Sequence, residues 1–144
     1  VLLRFQGGAK GMLWASQVAP GNDNALRLRV YGTKGGLEWS QEYPNDLWHS
    51  PFGEPRRLIR RGGAGTNAAA QRLTRIPPGH PEGYLEGFAN IYAEAAHAIR
   101  AARSGRRLKD KDVQFPGIAE GAAGVAFIEA AVKSSARDGR WVAV

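Results

Sequence analysis

An imidazole, a carboxylate and a phenol fall within one short stretch of this chain: His80, Glu82 and Tyr84, in Gly79-His80-Pro81-Glu82-Gly83-Tyr84. Together they offer the donors and acceptors that read hydroxyl groups. Pro81 stands just ahead of an apolar pattern with helical spacing, and proline suits the first turn of a helix, where its missing N–H has no intrahelical partner. Backbone N–H groups at a helix start point outward and favour acceptors. A substrate hydroxyl or carboxylate is therefore expected to dock beside His80, Glu82 and Tyr84. His49, in Asp46-Leu47-Trp48-His49-Ser50, is a further candidate for a ligand-facing side chain, because an Asp close to a His can form an acid–base pair. His97 falls away from the apolar stripe of its helix and reads as a surface residue.

Several chemistries are excluded or disfavoured. The chain has no cysteine, so thiolate metal sites, disulfides and thiol nucleophiles are absent. With one His in each region, a zinc site is not expected. No Ser/His/Asp order, G-x-S-x-G elbow or phosphate-binding loop is present. Gly63-Ala64-Gly65-Thr66-Asn67-Ala68 matches a loose G-x-G-x-x-A, but a dinucleotide fingerprint needs a buried strand before it, a helix after it and an acid about 20 residues on. Arg60-Arg61 precedes this one, Pro77-Pro78 soon follows, and the acids Glu82 and Glu86 belong to the next helix. It reads as a loop, and no catalytic or cofactor-binding residue is assigned.

These side chains need elements to position them. Leu2–Gln6, Met12–Val18, Leu26–Tyr31 and Leu37–Gln41 read as strands, with Leu26, Leu28 and Val30 alternating against Arg27, Arg29 and Tyr31 at period two. Gly-rich turns join them, which argues an antiparallel meander rather than βαβ units. Residues 43–79 are poorly patterned, with a short strand near Arg57–Arg60 and either a short helix over Ala68–Leu73 or a flexible loop. A helix follows to about Arg103, stopped by Gly105, with Tyr84, Phe88, Ile91, Ala95 and Ala102 as its core-facing stripe. A loop over 110–116, a second helix over Ile118–Ala136 and a closing strand over Trp141–Val144 complete the chain. Strands first and helices later give an α+β layout: one open antiparallel sheet with helices on one face. Trp14, Tyr31 and Trp39 are large for a solvated second face, which is expected to self-associate.

The chain has 144 residues and a formal net charge of +7. Its length suits one domain with its own core. No apolar run approaches the roughly 20 residues of a membrane span. The positive charge gathers at Arg56, Arg57, Arg60 and Arg61 and again at Arg103, Arg106, Arg107, Lys109 and Lys111, beside expected turns and interrupted by Asp110 and Asp112. A solvated surface is the expectation, with no nucleic acid or membrane partner; a stand-alone basic interaction module that binds nucleic acid is the alternative. Lack of cysteine fits a reducing, cytoplasmic compartment. The start in mid-pattern suggests a fragment of a longer protein.

Gly11-Met12-Leu13-Trp14-Ala15-Ser16-Gln17-Val18-Ala19-Pro20-Gly21, then Val30-Tyr31-Gly32-Thr33-Lys34-Gly35-Gly36-Leu37-Glu38-Trp39, then Gly79–Tyr92, and Phe115-Pro116 leading to Gly121 and Ala126–Ala131 occur in an order that resembles the C-terminal domain of the glucose–fructose oxidoreductase, inositol dehydrogenase and rhizopine-catabolism (Gfo/Idh/MocA) family. The resemblance covers nearly the whole chain. It implies an N-terminal Rossmann domain that binds NAD or NADP outside this chain, a sheet face that makes dimers or tetramers, and a helix-bearing side that walls a sugar or polyol site. It also implies that this chain alone neither binds the cofactor tightly nor turns over. The family's lysine stands in a Glu-Lys-Pro motif, yet Lys10, Lys34, Lys109, Lys111 and Lys133 are all followed by residues other than Pro. Its Asp-x-x-x-His pair has no match here, since Asp46 and His49 are one residue too close and follow the first strands. The reactive groups are thus expected upstream of Val1, leaving His80, Glu82, Tyr84 and His49 as substrate-binding candidates.

Overall fold

The computed structural model describes residues 1–109, 112–113 and 115–144. The loop expected over 110–116 lies partly outside the described residues. The chain divides into two compact units, Val1–Ala19 with residues 114–144, and Pro20–Val113.

In the first unit, β1 (Leu2–Arg4) pairs antiparallel with β2 (Lys10–Met12). Val1 and Leu13 extend this ladder with reciprocal main-chain hydrogen bonds, and Phe5 N–H donates to Ala9 O across the turn. The strand expected over 12–18 stops at Met12, because the backbone beyond Leu13 finds no ladder partner among the described residues. The closing strand expected over Trp141–Val144 is likewise absent; the Trp141 ring instead lies 4.1 Å from the Arg4 guanidinium carbon, a cation–π contact. A long helix, Ile118–Ser135, also belongs here, and its first turn is closed by Glu120, whose carboxylate accepts from Gly117 N–H at 2.8 Å.

The second unit holds a four-stranded antiparallel meander, β3 (Arg27–Gly32), β4 (Gly35–Ser40), β5 (Asp46–Pro51) and β6 (Arg57–Arg60), in sequential order. The fold is α+β with antiparallel sheets, as the pattern of strands then helices requires. Thr33-Lys34 turns β3 into β4, and Gly35 cannot be replaced without strain. Its φ is +151°, and a Cβ there would stand 2.5 Å from the Ser50 carbonyl oxygen on β5. The register puts Leu28 opposite Trp39, Val30 opposite Leu37, Trp39 opposite Leu47 and Leu47 opposite Ile59, one apolar face across all four strands. Tyr31, Glu38, Trp48 and Leu58 lie on the other face.

After β6 the chain forms α1 (Ala68–Leu73) and then α2 (Tyr84–Arg103). Asn67 caps α1 by accepting from Ala70 N–H at 2.9 Å. Polar contacts hold α1 to α2: Arg72 donates to Glu94 at 2.6 Å, Asn90 donates to Leu73 O at 3.0 Å, and Arg75 donates to Asn90 Oδ1 at 2.6 Å. The Arg72 guanidinium, through that hydrogen bond, lowers the Glu94 carboxyl below its ordinary value against the opposing effect of burial.

Few apolar side chains among the described residues are buried. Ala101 and Ala130 are the only apolar residues among those described that are buried. The stripe expected to pack inward is open: Tyr84 is 72%, Phe88 44% and Ile91 50% exposed, although the Tyr84 and Phe88 rings touch each other at a centroid distance of 4.8 Å. Helical periodicity shows which face of a helix is apolar; it does not show that the covering surface lies in the same stretch of chain.

Candidate functional site

The turn between β4 and β5 and the end of β6 converge on the loop that leads into α2. Pro44 O accepts from the Trp39 indole at 3.1 Å, which fixes that turn. Asn45 O accepts from Arg61 N–H at 2.9 Å and so continues the β5–β6 ladder by one step beyond the strands. This brings the Asn45 and Arg61 side chains together, with Arg61 Nε donating to Asn45 Oδ1 at 2.7 Å.

Both side chains then grip residues 75–82. Asn45 Nδ2 donates to Glu82 O at 2.8 Å, while Asn45 Oδ1 accepts from Glu82 N–H at 3.1 Å. This reciprocal pair copies a strand-like hydrogen-bond exchange with a side-chain amide. Arg61 donates to Ile76 O at 2.7 Å and to His80 O, and its Nε lies 3.4 Å from Glu82 Oε2. The other Glu82 oxygen accepts from the backbone N–H groups of Arg75 and Ile76. Arg61 and Glu82 side chains are 16% and 8% exposed, so water competes little for these contacts. An open groove of about 410 Å³ runs beside them, between residues 42–46 and Pro81–Gly83.

These contacts change the roles expected from sequence. Glu82 is buried, and its carboxylate is engaged by its own loop and Arg61, so it holds the loop. Pro81 is not in the first turn. Glu82 main chain is committed to Asn45, and α2 begins after Gly83, whose N–H donates to Glu86 at 2.9 Å. That bond lowers the Glu86 carboxyl below its ordinary value, with Arg61 and Arg75 adding to the effect. The helix start thus carries an anion of its own, with the Gly83 N–H already taken. His80 and Tyr84 remain exposed on either side of the buried Glu82.

His49 stands apart from this cluster. It lies in β5, opposite Leu37 and Arg57, and lines neither the groove nor the Arg61 network. Asp46 is likewise taken up by the ladder and by Arg60 at 3.7 Å, so the two do not form an acid–base pair. Sequence reasoning missed Asn45 and Arg61. Asn45 falls in the poorly patterned stretch and Arg61 in a basic run, and only register brings them together across a separation of 16 residues.

The Gly63–Ala68 segment does not fit a dinucleotide. The strand before it, β6, pairs antiparallel with β5, and Gly63 N–H donates to Arg60 O at 3.0 Å within a tight turn. Thr66 Oγ1 donates to Gly63 O at 2.7 Å, and the helix that follows spans only Ala68–Leu73. A pyrophosphate cradle needs free N–H groups at the mouth of a longer helix after a parallel strand. Among the described residues, no group of His, Cys, Asp or Glu is arranged to hold a metal ion.

An antiparallel α+β domain with an exposed His and Tyr at the head of a long helix is the class that fold and site define. The profile of the oxidoreductase family C-terminal alpha/beta domain matches residues 1–144. The chain belongs to this Gfo/Idh/MocA family of oxidoreductases, as its C-terminal domain. It is 32% identical over 142 residues to the uncharacterized oxidoreductase YfiI of Bacillus subtilis (strain 168), covering 99% of this chain and 36% of that protein. It is similar to the crystal structure of an oxidoreductase from Sinorhizobium meliloti, at 58% identity and a TM-score of 0.89, over 99% of this chain and 39% of that one. It is also similar to an inositol dehydrogenase homologue from Azotobacter vinelandii, crystallised with NADH and myo-inositol, at 35% identity and a TM-score of 0.91, over 99% of this chain and 38% of that one. The chain therefore spans well under half the length of these relatives.

Proposed function

We propose that the full-length protein is an NAD- or NADP-dependent dehydrogenase acting on a sugar, inositol or related polyol. This chain is the substrate-side domain, with His80 and Tyr84 as one wall of the pocket and the reactive groups elsewhere in the protein. The carrying observation is the loop before α2: His80 is exposed on a segment whose backbone is held by Asn45, Arg61 and Glu82. Binding sites favour such side chains on loops fixed by a scaffold. The Azotobacter vinelandii homologue, with its bound NADH and myo-inositol, supports the ligand classes.

The domain also makes a homo-oligomer through its sheet. Leu28, Val30 and Leu37 form a contiguous apolar patch at 60%, 56% and 42% exposure. Apolar neighbours left open at this level mark an interaction surface. The absence of cysteine fits a cytoplasmic setting, and no described helix is long and apolar enough to cross a membrane. The test is NADH or NADPH formation by the full-length protein with myo-inositol and a panel of sugars and polyols. Turnover by the full-length protein and none by the 144-residue chain is the expected result. Failure of every polyol and sugar with both cofactors would contradict it.

A further inference from the structure

We infer that Asn45, Arg61 and Glu82 form a positioning unit that sets where His80 stands in the substrate pocket; this deepens the proposed function and rests on it. The three residues come from the β4–β5 turn, the end of β6 and the loop itself. Their contacts converge on one short segment, from both ends. Glu82 gathers the N–H groups of Arg75 and Ile76 at its start, and Asn45 holds Glu82 main chain at its end. Between them, Arg61 reaches Ile76 O and His80 O, the latter being the carbonyl of the residue whose imidazole is exposed. His80 N–H closes the segment on itself by donating to Pro77 O at 3.3 Å.

A simple stability role would need fewer partners. A buried Arg–Glu pair by itself contributes little net stability, because desolvation offsets attraction. Here Glu82 also accepts from two loop N–H groups, and Arg61 also donates to two loop carbonyls and to Asn45. The arrangement suits precision of placement: binding groups must be held to within about 0.5 Å by neighbours that are themselves locked. Lysine cannot substitute, because one ammonium cannot span Asn45, Ile76 O and His80 O in the planar fork that Arg61 uses.

The experiment compares the full-length protein with Arg61→Lys and with Asn45→Ala, using myo-inositol and NAD as probes. Two readouts are taken: amide hydrogen exchange across residues 75–83, and steady-state constants for each substrate. Positioning predicts at least about tenfold faster exchange in that segment, from loss of one or two charge-assisted hydrogen bonds. It also predicts a KM for myo-inositol raised about tenfold, with KM for NAD unchanged, as expected for lost ground-state binding at one subsite. Arg61→Lys keeps the charge, so it serves if Asn45→Ala fails to fold. Unchanged exchange in both variants would overturn the unit itself. Faster exchange with an unchanged KM for myo-inositol, while His80→Ala raises that KM, would overturn the positioning role alone. A His80→Ala variant with unchanged KM for myo-inositol would instead refute the substrate reading of the loop, and the positioning role with it.

Discussion

Replacing Asn45 by Ala removes one small side chain and, with it, three hydrogen bonds. The losses are Nδ2 to Glu82 O at 2.8 Å, Glu82 N–H to Oδ1 at 3.1 Å, and Arg61 Nε to Oδ1 at 2.7 Å. A neutral intramolecular hydrogen bond contributes about 0.5–1.5 kcal/mol net, and one to a charged group about 1.5–3 kcal/mol. Asn45 is half-buried, so water recovers part of each, and a total of about 2–3 kcal/mol is expected for the variant. Asn24→Ala is the matched control, since exposed Asn24 donates once, to Gln41 Oε1, and should cost under about 0.5 kcal/mol. Urea unfolding followed by circular dichroism measures both, with the slope m required to stay constant so that the midpoint reports stability. The double variant with Arg61→Ala should cost less than the sum of the singles by about 1 kcal/mol, because both remove the same bond. Equal shifts for Asn45→Ala and Asn24→Ala, or strict additivity with Arg61→Ala, would refute the reasoning.

Further outcomes follow from other contacts. Gly35→Ala forces a Cβ against the Ser50 carbonyl at φ +151° and should lower stability by at least about 1 kcal/mol, read as a fall in Tm. Glu94 has its folded-state pKa depressed by Arg72, so the pair stabilises the fold above the unfolded carboxyl value of about 4.3 and loses that contribution as pH falls through the lower folded value. Urea midpoints of Glu94→Gln and the parent protein should therefore differ at neutral pH and converge in acid; a constant gap would remove this assignment. Arg56, Arg57 and Arg60 are already paired with Glu38, Glu54 and Asp46. A fluorescent DNA duplex is accordingly expected to show no salt-dependent anisotropy change, whereas a steep salt slope would favour the interaction-module reading. Light scattering of Val30→Lys should show a smaller particle than the parent protein, and an unchanged mass would argue against the sheet interface.

Local pattern was enough to read β3, β4, α2 and the long helix after Gly117 to within a few residues, while α1 and a flexible loop were equally open over Ala68–Leu73. These have period two or helical spacing and stand beside Gly residues. It failed at β5, which follows Pro44-Asn45 and ends at Pro51, so turn-forming residues hid a ladder made by register with β4 and β6. The candidate site was half legible. Tyr84 opens α2 as the apolar spacing predicts, and His80 lies in the loop before it, although Pro81 falls outside the first turn. Glu82 carried the right chemistry for a ligand, but its burial depends on Asn45, 37 residues earlier, and no local signal encodes that distance. The open stripe has the same origin: the apolar spacing of α2 marks which face needs cover, and no local signal says what covers it.

The most direct measurement is the steady-state KM of the full-length protein for its polyol, myo-inositol first, in His80→Ala. A rise of about tenfold with KM for the nicotinamide cofactor unchanged is what loss of a hydrogen bond at one substrate subsite predicts. An unchanged polyol KM, with the variant folded as the parent is, would contradict the claim that this loop walls the substrate site.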